Sequence, residues 1–326
     1  MKAFDKDIVS GSILRSVWKL AWPLVLLNLV NGTHGFIDHI LIGHFVVAGN
    51  NAANAAIGVA WQVFLVIVVF IASLFHGMNV LVARYAGRED RRTMSRVFHS
   101  TFLCSVYMLV FVIGPAGYLL APRLLAFVNA EPEVQSHALP YLRILFTCGA
   151  PLFLMLLLTG AFQASGDPKT PLKLGILSTF LNVGISIVLI TGIGPFPALG
   201  TAGAALGTVL APLVSFSIGF HLLLSRKMIL QPPARFTLVP DFQVLRLVAR
   251  IGLPTGIQGV LLNVGGVFLL KFIGLLQFSS AAQAAYAIGY AQLFSLVTWP
   301  SFGLRAAAGT LMGQNIGAGN PRRGKT

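Results

Sequence analysis

The sequence predicts an all-α, polytopic membrane protein built as a two-lobe helical bundle. Hydrophobic residues make up 56% of the 326 residues and charged residues only 10%, and the mean hydropathy is +0.82. The apolar residues are gathered in runs long enough to cross a membrane, and the first run recurs later in the chain. A water-soluble domain of this length would not carry so apolar a composition.

Eight runs of roughly 20 or more mostly apolar residues are each long enough to cross a hydrocarbon core about 30 Å thick. Strands of outer-membrane barrels alternate apolar and polar residues, whereas in these runs successive residues are apolar. Several exceed the minimum length, so we expect tilting or kinking, with Pro23 as one candidate site. We therefore predict eight transmembrane helices over residues 14–43, 55–83, 97–121, 138–163, 171–193, 201–225, 247–275 and 281–313.

The positive charges lie on one side of this predicted topology. Nineteen of the 23 lysines and arginines precede or open span 1, follow span 8, or lie in or beside the connections between spans 2 and 3, 4 and 5, and 6 and 7. The positive-inside rule then places both termini of this chain in the cytoplasm, and we expect the protein in the cell inner (plasma) membrane. The net charge is +14, but the basic residues flank the spans and form no basic domain, so we expect no nucleic-acid partner.

An internal repeat predicts the domain organisation. With an offset of 231, residues 15–58 match 246–289 without a gap at ten of 44 positions, including Pro23 with Pro254 and Gly35 with Gly266. Six spans precede the second copy, so the two units are parallel six-helix repeats, an arrangement typical of secondary transporters. The predicted divisions are an N-terminal lobe over 1–225, a proline-containing cytoplasmic linker over 226–246, and the first two helices of a second lobe over 247–326.

The repeat also predicts that the second lobe is incomplete. The first unit has six predicted helices, whereas the second ends at Thr326 after two. We expect the natural protein to continue for roughly 120 to 140 residues, so that eight of twelve helices are present in this sequence.

Asp38 is the most informative single residue. It is the only one of the nine acidic residues inside a long apolar run, where a carboxylate costs roughly 2.5 to 3.5 kcal/mol. Asn28, Asn31, Gly35 and Asp38 recur at spacings of three, four and three, which places them on one helical face. We expect this face to look into protein or a polar cavity, where burial favours the protonated carboxyl and allows proton exchange. An acid merely paired within the bundle is the alternative.

Short segments distributed along the whole chain resemble the multidrug and toxic compound extrusion (MATE) transporters, especially their DinF-like branch. No single segment is specific, but their order, spacing and topology together are. The segments are Trp22-Pro23, Phe36-Ile-Asp-His39, Ile42-Gly43, Gly77, Ala83-Arg-Tyr-Ala-Gly87, Tyr141-Leu-Arg-Ile144, Gln163-Ala-Ser-Gly-Asp-Pro-Lys-Thr170, Leu181-Asn182 and Gly203-Ala-Ala-Leu-Gly-Thr208.

The resemblance implies twelve helices in two lobes around a central cavity. It implies export of a small cationic or amphipathic substrate by alternating access across the lipid bilayer, driven by inward flow of H⁺ or Na⁺. Carried over position by position, the coupling residues are Asp38, Asn182 and Thr208. Many relatives have a second acid where this chain has Ser186, and a hard cation is best held by several oxygens including charged ones, so we favour H⁺.

Asn31, His34 and Ser186 are candidate cavity-lining residues. His34 lies one turn before Asp38 and could hydrogen-bond to it, although a histidine with only a local partner is the simpler interpretation. Lys271, at the outer end of span 7, is interpreted as a snorkelling interfacial lysine. We predict no metal site and no cofactor other than the coupling ion, and we expect a monomer.

Two other functions remain open at this stage. A lipid-linked sugar flippase of a related fold would need a strongly cationic central cavity, whereas here most charge flanks the spans. A membrane-embedded enzyme would need clustered His, Asp, Glu or Ser within the spans, and only Asp38 with His34 comes near. We therefore predict a transporter and not an enzyme.

Overall fold

The computed structural model describes residues 4–45, 50–233 and 236–325. Within these ranges the chain forms α-helices and two π-helical turns, Met108–Ile113 and Tyr286–Gln292, and no β-strand. The helices are α1 Asp7–Ser10, α2 Ile13–Phe45, α3 Asn50–Gly87, α4 Arg91–Tyr107, α5 Gly114–Phe127, α6 Pro132–Cys148, α7 Ala150–Ala164, α8 Lys169–Thr191, α9 Thr201–Leu224, α10 Phe242–Ile273, α11 Ser279–Ala285, α12 Leu293–Gly317 and α13 Pro321–Lys325.

Six helices in the described ranges are long and apolar enough to cross a membrane, and the bent pair α6 and α7 makes a seventh if it is counted as one span. These seven correspond to the first seven predicted runs. The eighth run, 281–313, falls on α11, the second π-helical turn and α12, which are not among the candidate spans. A count of eight transmembrane helices therefore stays a prediction.

Two predicted spans are interrupted, although their sequences read as continuous apolar runs. The run 97–121 is divided by the π-helical turn at Met108–Ile113, and the run 138–163 bends by 53° between α6 and α7. Pro115 and Pro151 lie in the first turns of α5 and α7, where a missing backbone N–H disrupts no helical hydrogen bond. In contrast, α2 continues through Pro23.

The second helix, α3, lies at the centre of the packing. It contacts α6 and α7, which belong to the first predicted repeat, and α10 and α12, which belong to the second. The large buried cluster includes Phe64, Phe153 and Phe162, all at most 1% exposed. The pair α8 and α9 completes the first part of the bundle and packs against α2 through α8.

The packing between the predicted repeats is reciprocal. The first helix of the first repeat, α2, packs mainly against α12, and the second helix, α3, packs mainly against α10. The first helix of each repeat therefore contacts the second helix of the other. A pseudo-two-fold axis along the membrane normal produces this pattern.

Glycines allow α3 and α10 to approach closely. A Cβ atom added at Gly252 would lie 2.2 Å from the carbonyl oxygen of Ser73, and one added at Gly77 would lie 2.2 Å from that of Val248. Small residues at such crossings let helix backbones pack against each other in a membrane. The glycines of both helices therefore set the distance between the two repeats.

The connection between α9 and α10 is packed against the bundle. The Arg91 guanidinium donates to the carbonyl of Ile229 at 3.0 Å, and the Tyr107 hydroxyl donates to that of Leu238 at 2.6 Å. Helix α10 begins at Phe242, before the apolar run at 247, because the Asp241 side chain accepts hydrogen bonds from the first free N–H groups of the helix.

Candidate functional site

Asp38 lies in the second half of α2 and is buried, with 5% of its surface exposed. Its Oδ2 lies 3.5 Å from the Thr208 hydroxyl, whose single proton can be donated either to this oxygen or to the Ala204 carbonyl at 3.1 Å, while Oδ1 has no hydrogen-bond partner among the described residues. The ion pairs found in those residues do not include it. A buried carboxylate without a cationic partner is costly in its charged form, so the site favours a proton or a bound cation.

The register between α2 and α8 places two polar residues at the level of Asp38. A Cβ atom added at Gly175 would lie 2.2 Å from the Leu27 side chain, so the helices touch there. Both helices cross the bundle in the same direction, because three spans separate them. Eleven residues beyond this contact come Asp38 on α2 and Ser186 on α8, and Asn182 lies one turn earlier on the same face as Ser186.

Buried polar atoms on α8 lack partners within the described structure. Asn182 is 1% exposed and Ser186 is 0% exposed, and neither the Asn182 amide nor the Ser186 hydroxyl has a hydrogen bond there. Helix α9 approaches closely because a Cβ at Gly207 would lie 2.1 Å from Ser186 Oγ. The next residue, Thr208, lies 3.5 Å from Asp38, so α9 places Ser186 and Asp38 near one level, with Asn182 one turn away on α8.

Tyr141 is a further member of the site that the sequence analysis did not select. It lies in α6, is 1% exposed, and interacts with both Asp38 and Thr208. The tyrosine belongs to the family-like segment Tyr141-Leu-Arg-Ile144, but the sequence does not say which helix its side chain meets. A tyrosine hydroxyl inside a predicted span was the one indication available, since buried tyrosines usually use that hydroxyl.

The other two predicted lining residues, Asn31 and His34, are not among the described side chains next to Asp38. Asn31 is partly buried and lies two turns before Asp38 on α2, about 10 Å along the helix. The side chain of His34 lies outside the described residues. The neighbouring His39 is buried and its Nδ1 lies 3.1 Å from Asn54 Oδ1, which ties α2 to α3.

The site offers oxygen and amide groups around a single carboxylate. In the described ranges, no cluster of three or more His, Cys, Asp or Glu residues could hold a metal ion. The available groups are the Asp38 carboxylate, the Asn182 amide and the hydroxyls of Tyr141, Ser186 and Thr208. Such a set can bind and release a proton or hold a small monovalent cation.

Two family models match the chain. The MatE model matches residues 23–188 and 254–326, and the two matches begin 231 residues apart, which is the offset of the predicted repeat. A second model, described as the lipid II flippase MurJ, matches residues 144–276.

Curated relatives carry names of probable multidrug resistance proteins. YoeA of Bacillus subtilis is 28% identical over 309 residues, which are 94% of this chain and 65% of the relative. NorM of Thermotoga maritima is 28% identical over 312 residues, which are 94% of this chain and 64% of the relative. The chain thus spans about two thirds of the length of these relatives.

A solved structure shares the fold. It is described as the outward-facing conformation of a multidrug resistance MATE family transporter of the MOP superfamily, with a TM-score of 0.84 and 20% identity, covering 99% of this chain and 70% of that one. The identity is low, so this likeness establishes the fold alone. Because the MatE model matches well over half of the residues, the chain belongs to the MATE family, whose members are membrane transporters and not enzymes.

Proposed function

We propose that the protein is a proton-coupled antiporter, of the DinF-like branch, that exports organic cations or other amphipathic compounds by alternating access. One observation carries the proposal: a single buried carboxylate, Asp38, lies without a cationic partner among the described residues and close to Thr208. Protonation of such a group can bias a two-state equilibrium if the two states differ in proton affinity. Membership of a transporter family supports transport as the outcome.

The coupling ion proposed is H⁺. Among the described residues, Asp38 is the only carboxylate of the site, and the residue at its level on α8 is Ser186. A sodium ion would have to be held by one charged oxygen and neutral groups, whereas hard cations are best held by several oxygens including charged ones. A proton needs only the carboxylate. Each unit of pH gradient supplies about 1.4 kcal/mol per proton, enough to drive tenfold accumulation.

The residues proposed for coupling are Asp38, Asn182 and Thr208, and Ser186 is proposed to line a polar cavity that opens beside them during transport. Asn182 and Ser186 support this assignment because their buried polar atoms have no hydrogen-bond partner within the described ranges. Buried polar atoms are rarely left without partners unless a ligand, ion or water uses them. Asn31 is assigned a lining role further along the same cavity.

The end of the bundle that carries Arg84–Arg96 and the α9–α10 connection is called the basic face. Here α12 is tied to the first lobe by two side chains: Gln314 Nε2 donates to the Ala164 carbonyl at 3.0 Å, and Asn315 Nδ2 donates to the Ile8 carbonyl at 3.2 Å. Opening toward this face requires these contacts to separate.

The opposite end, called the far face, has its own contacts between the proposed lobes. Glu131 accepts hydrogen bonds from the Ser279 hydroxyl and from the Ser280 N–H, the latter at 3.1 Å. Asn129 Nδ2 donates to the Lys271 carbonyl at 3.2 Å. Alternating access would open this set while the basic-face set stays closed, and then reverse the two.

The proposed lobes are residues 1–225 and 247–326, joined by 226–246. Their orientation is proposed from charge: nineteen of 23 lysines and arginines lie at the basic face or in its connections, so we assign this face and both termini of the chain to the cytoplasm of the inner membrane. The substrate would enter from the cytoplasm and leave at the far face.

Ethidium accumulation in proteoliposomes tests this function. The whole product of the gene is reconstituted, a pH gradient is imposed, and wild type is compared with Asp38→Asn. Wild type should accumulate ethidium, with an upper limit of about 100-fold for two pH units and one proton per cation. Asp38→Asn should not. Glu133→Gln, which removes an exposed acid from the first turn of α6, is the matched control and should behave as wild type.

Two outcomes would contradict the proposal. Accumulation by Asp38→Asn at the wild-type level would remove Asp38 from coupling. If a sodium gradient drives ethidium accumulation and a pH gradient does not, the proton is not the coupling ion. The proposal that the protein exports organic cations would still stand.

A lipid-linked sugar flippase is the second candidate, favoured by the match of the MurJ model to residues 144–276. Its phosphates would require several cations facing the cavity. At the level of Asp38 the side chains brought together are Asn182, Ser186, Thr208 and Tyr141, all without positive charge. Binding of an undecaprenyl-pyrophosphate sugar to the purified protein, without binding of ethidium, would favour the flippase.

A further inference from the structure

Arg143 is a cation within the candidate span formed by α6 and α7, and no carboxylate among the described residues pairs with it. It lies five residues after the start of the apolar run 138–163, about 7 Å along the helix, so its long side chain can reach toward the far membrane surface. Its Nε is buried without a hydrogen-bond partner, and no ion pair found within the described ranges includes it. An uncompensated arginine at membrane depth is costly and usually marks a functional contact.

The Arg143 side chain is held over an aromatic ring. Its guanidinium carbon lies 4.4 Å from the centre of the Tyr118 ring, a cation–π contact between α6 and α5. The contact holds the guanidinium in place, and its Nε is the one nitrogen of the group that is buried without a partner. The arrangement presents a positioned cation that can still bind an anion.

An apolar groove begins beside this cation. It has a volume of about 440 Å³, within the range of about 300 to 1,000 Å³ that is usual for ligand sites. The groove lies between the π-helical turn and the start of α5 on one side and the bend between α6 and α7 on the other. Its lining includes Leu109, Gly114, Pro115, Tyr118, Leu119 and Ala150.

The groove faces the surface that the membrane would cover. Leu119, on its rim, is 72% exposed and the nearby Phe111 is 71% exposed. Tyr118 belongs both to the groove and to the contact with Arg143, so the cation lies at one end of the apolar lining. Helical side chains tilt toward the helix N-terminus, which for α6 is the far face. The charged end of the groove is therefore the end nearer the far membrane surface.

We propose that this Arg143 groove binds one anionic phospholipid from the leaflet at the far face. The lipid phosphate accepts hydrogen bonds from the Arg143 guanidinium, whose planar fork matches two phosphate oxygens. An acyl chain lies along the groove over Gly114 and Leu119. The net negative charge of the lipid balances the arginine, which a zwitterionic lipid does only in part. The site is separate from the Asp38 site and lies on the outside of the bundle.

Lipid binding to the purified protein in non-ionic detergent tests the proposal. Retained phosphatidylglycerol and phosphatidylcholine are counted by native mass spectrometry, and thermal unfolding is followed with each lipid. Wild type should retain one phosphatidylglycerol in preference to phosphatidylcholine and unfold at higher temperature with it. Arg143→Gln should weaken phosphatidylglycerol binding at least about tenfold, the effect expected for one charge-assisted pair.

Two further variants separate the groove from general effects of charge and folding. Arg123→Gln removes an exposed cation from α5 and should bind phosphatidylglycerol as wild type does. Ala150→Phe keeps Arg143 but fills the groove, so it should weaken binding while its unfolding temperature without lipid stays near that of wild type. Arg143→Lys should retain part of the affinity, because it keeps a point charge without the fork.

Three results would overturn the proposal. One is equal retention of phosphatidylglycerol by wild type and by Arg143→Gln. Another is unchanged binding in Ala150→Phe, which would place the lipid elsewhere. The third is full reproduction of the thermal shift by inorganic phosphate alone, which would indicate a simple anion site without an acyl chain.

Discussion

The two helices that open the predicted repeats, α2 and α10, are alike in build and unlike in chemistry. Both contain a proline at corresponding positions, Pro23 and Pro254. At the position where α2 has the buried Asp38, the equivalent residue of α10 is Leu269, which is 43% exposed. Helix α10 contains no acidic residue along its whole length.

The difference indicates that α10 serves mainly for helix packing, whereas α2 carries the ionisable residue. In α10 the notable residues are glycines, and Gly252 lets α10 pack closely against α3. In α2 the notable residue is a carboxylate at the level of polar groups from α8 and α9. A repeated unit can thus keep its packing residues in one copy and its ionisable residue in the other. The proposed rocking motion would then be symmetric in structure, while the proposed proton site lies in one lobe.

Exchanging the two unlike residues should have the largest effect. In the double variant Asp38→Leu with Leu269→Asp, ethidium accumulation driven by a pH gradient should be lost, because the new carboxylate lacks Asn182 and Thr208 as neighbours. A carboxylate at membrane depth also costs about 2.5 to 3.5 kcal/mol. Leu269→Asp alone serves as the control and should keep coupling in the folded fraction. Coupled transport by the exchange variant would show that the lobes are interchangeable.

Gly252→Val should disturb packing without removing the proposed proton site. The added side chain would meet the backbone carbonyl of Ser73, and overpacking of this kind costs about 1 to 3 kcal/mol. We expect a lower unfolding temperature and normal proton release per folded molecule. Gly265→Val is the matched control on the same helix, since no other atom lies within 4 Å of its Cβ position. Equal unfolding temperatures would contradict the assignment of α10 to packing.

The sequence was sufficient for the broad fold and for the residue at the centre of the proposed site. Hydropathy located the first seven runs, because a bilayer imposes a length on every apolar helix. Asp38 stood out because an acid in such a run is costly. Neither inference needed a contact between distant parts of the chain.

The interruptions and the full set of neighbours could not be predicted in the same way. The π-helical turn at Met108–Ile113 and the bend at Gly149 lie in runs whose hydropathy is uniform, so composition did not locate them. Tyr141 joins Asp38 only through the packing of α6 against α9. Such a contact depends on which helices lie next to each other in the bundle, and hydropathy along the sequence does not determine that arrangement.

Thr208→Val, which changes a neighbour of Asp38, should have an intermediate effect on ethidium transport. It removes the hydroxyl that lies 3.5 Å from Asp38 Oδ2 and 3.1 Å from its alternative acceptor, the Ala204 carbonyl, and hydrogen bonds contribute about 0.5 to 1.5 kcal/mol. The initial rate of ethidium transport should fall roughly 2- to 10-fold. Thr208→Ser keeps the hydroxyl and should stay close to wild type. If both variants behave alike, the hydroxyl has no part in coupling.

Glu131→Gln should have the smallest effect, at the far-face contact between the lobes. The hydrogen bond from Ser279 holds the pKa of Glu131 below its usual range, with help from the Ser280 N–H. The charged contact therefore adds stability above the ordinary glutamate pKa of about 4.3 and loses it as pH falls through the lowered value. Wild type should unfold at slightly higher temperature than Glu131→Gln near neutral pH, and the difference should vanish in acid.

A difference that persists in acid would assign the stabilisation to the shape of the contact and not to its charge. Glu133→Gln, two residues away and exposed, should show no difference from wild type at either pH.

Proton counting during ethidium binding tests the central claim most directly, because it needs only the Asp38 site and not a complete transport cycle. The purified protein is placed in weakly buffered solution with a pH-sensitive dye, and ethidium is added to saturation. If the two ligands compete through Asp38, wild type should release up to about one proton per bound ethidium, and Asp38→Asn should bind ethidium without releasing any. Equal proton release by Asp38→Asn and wild type would contradict the account.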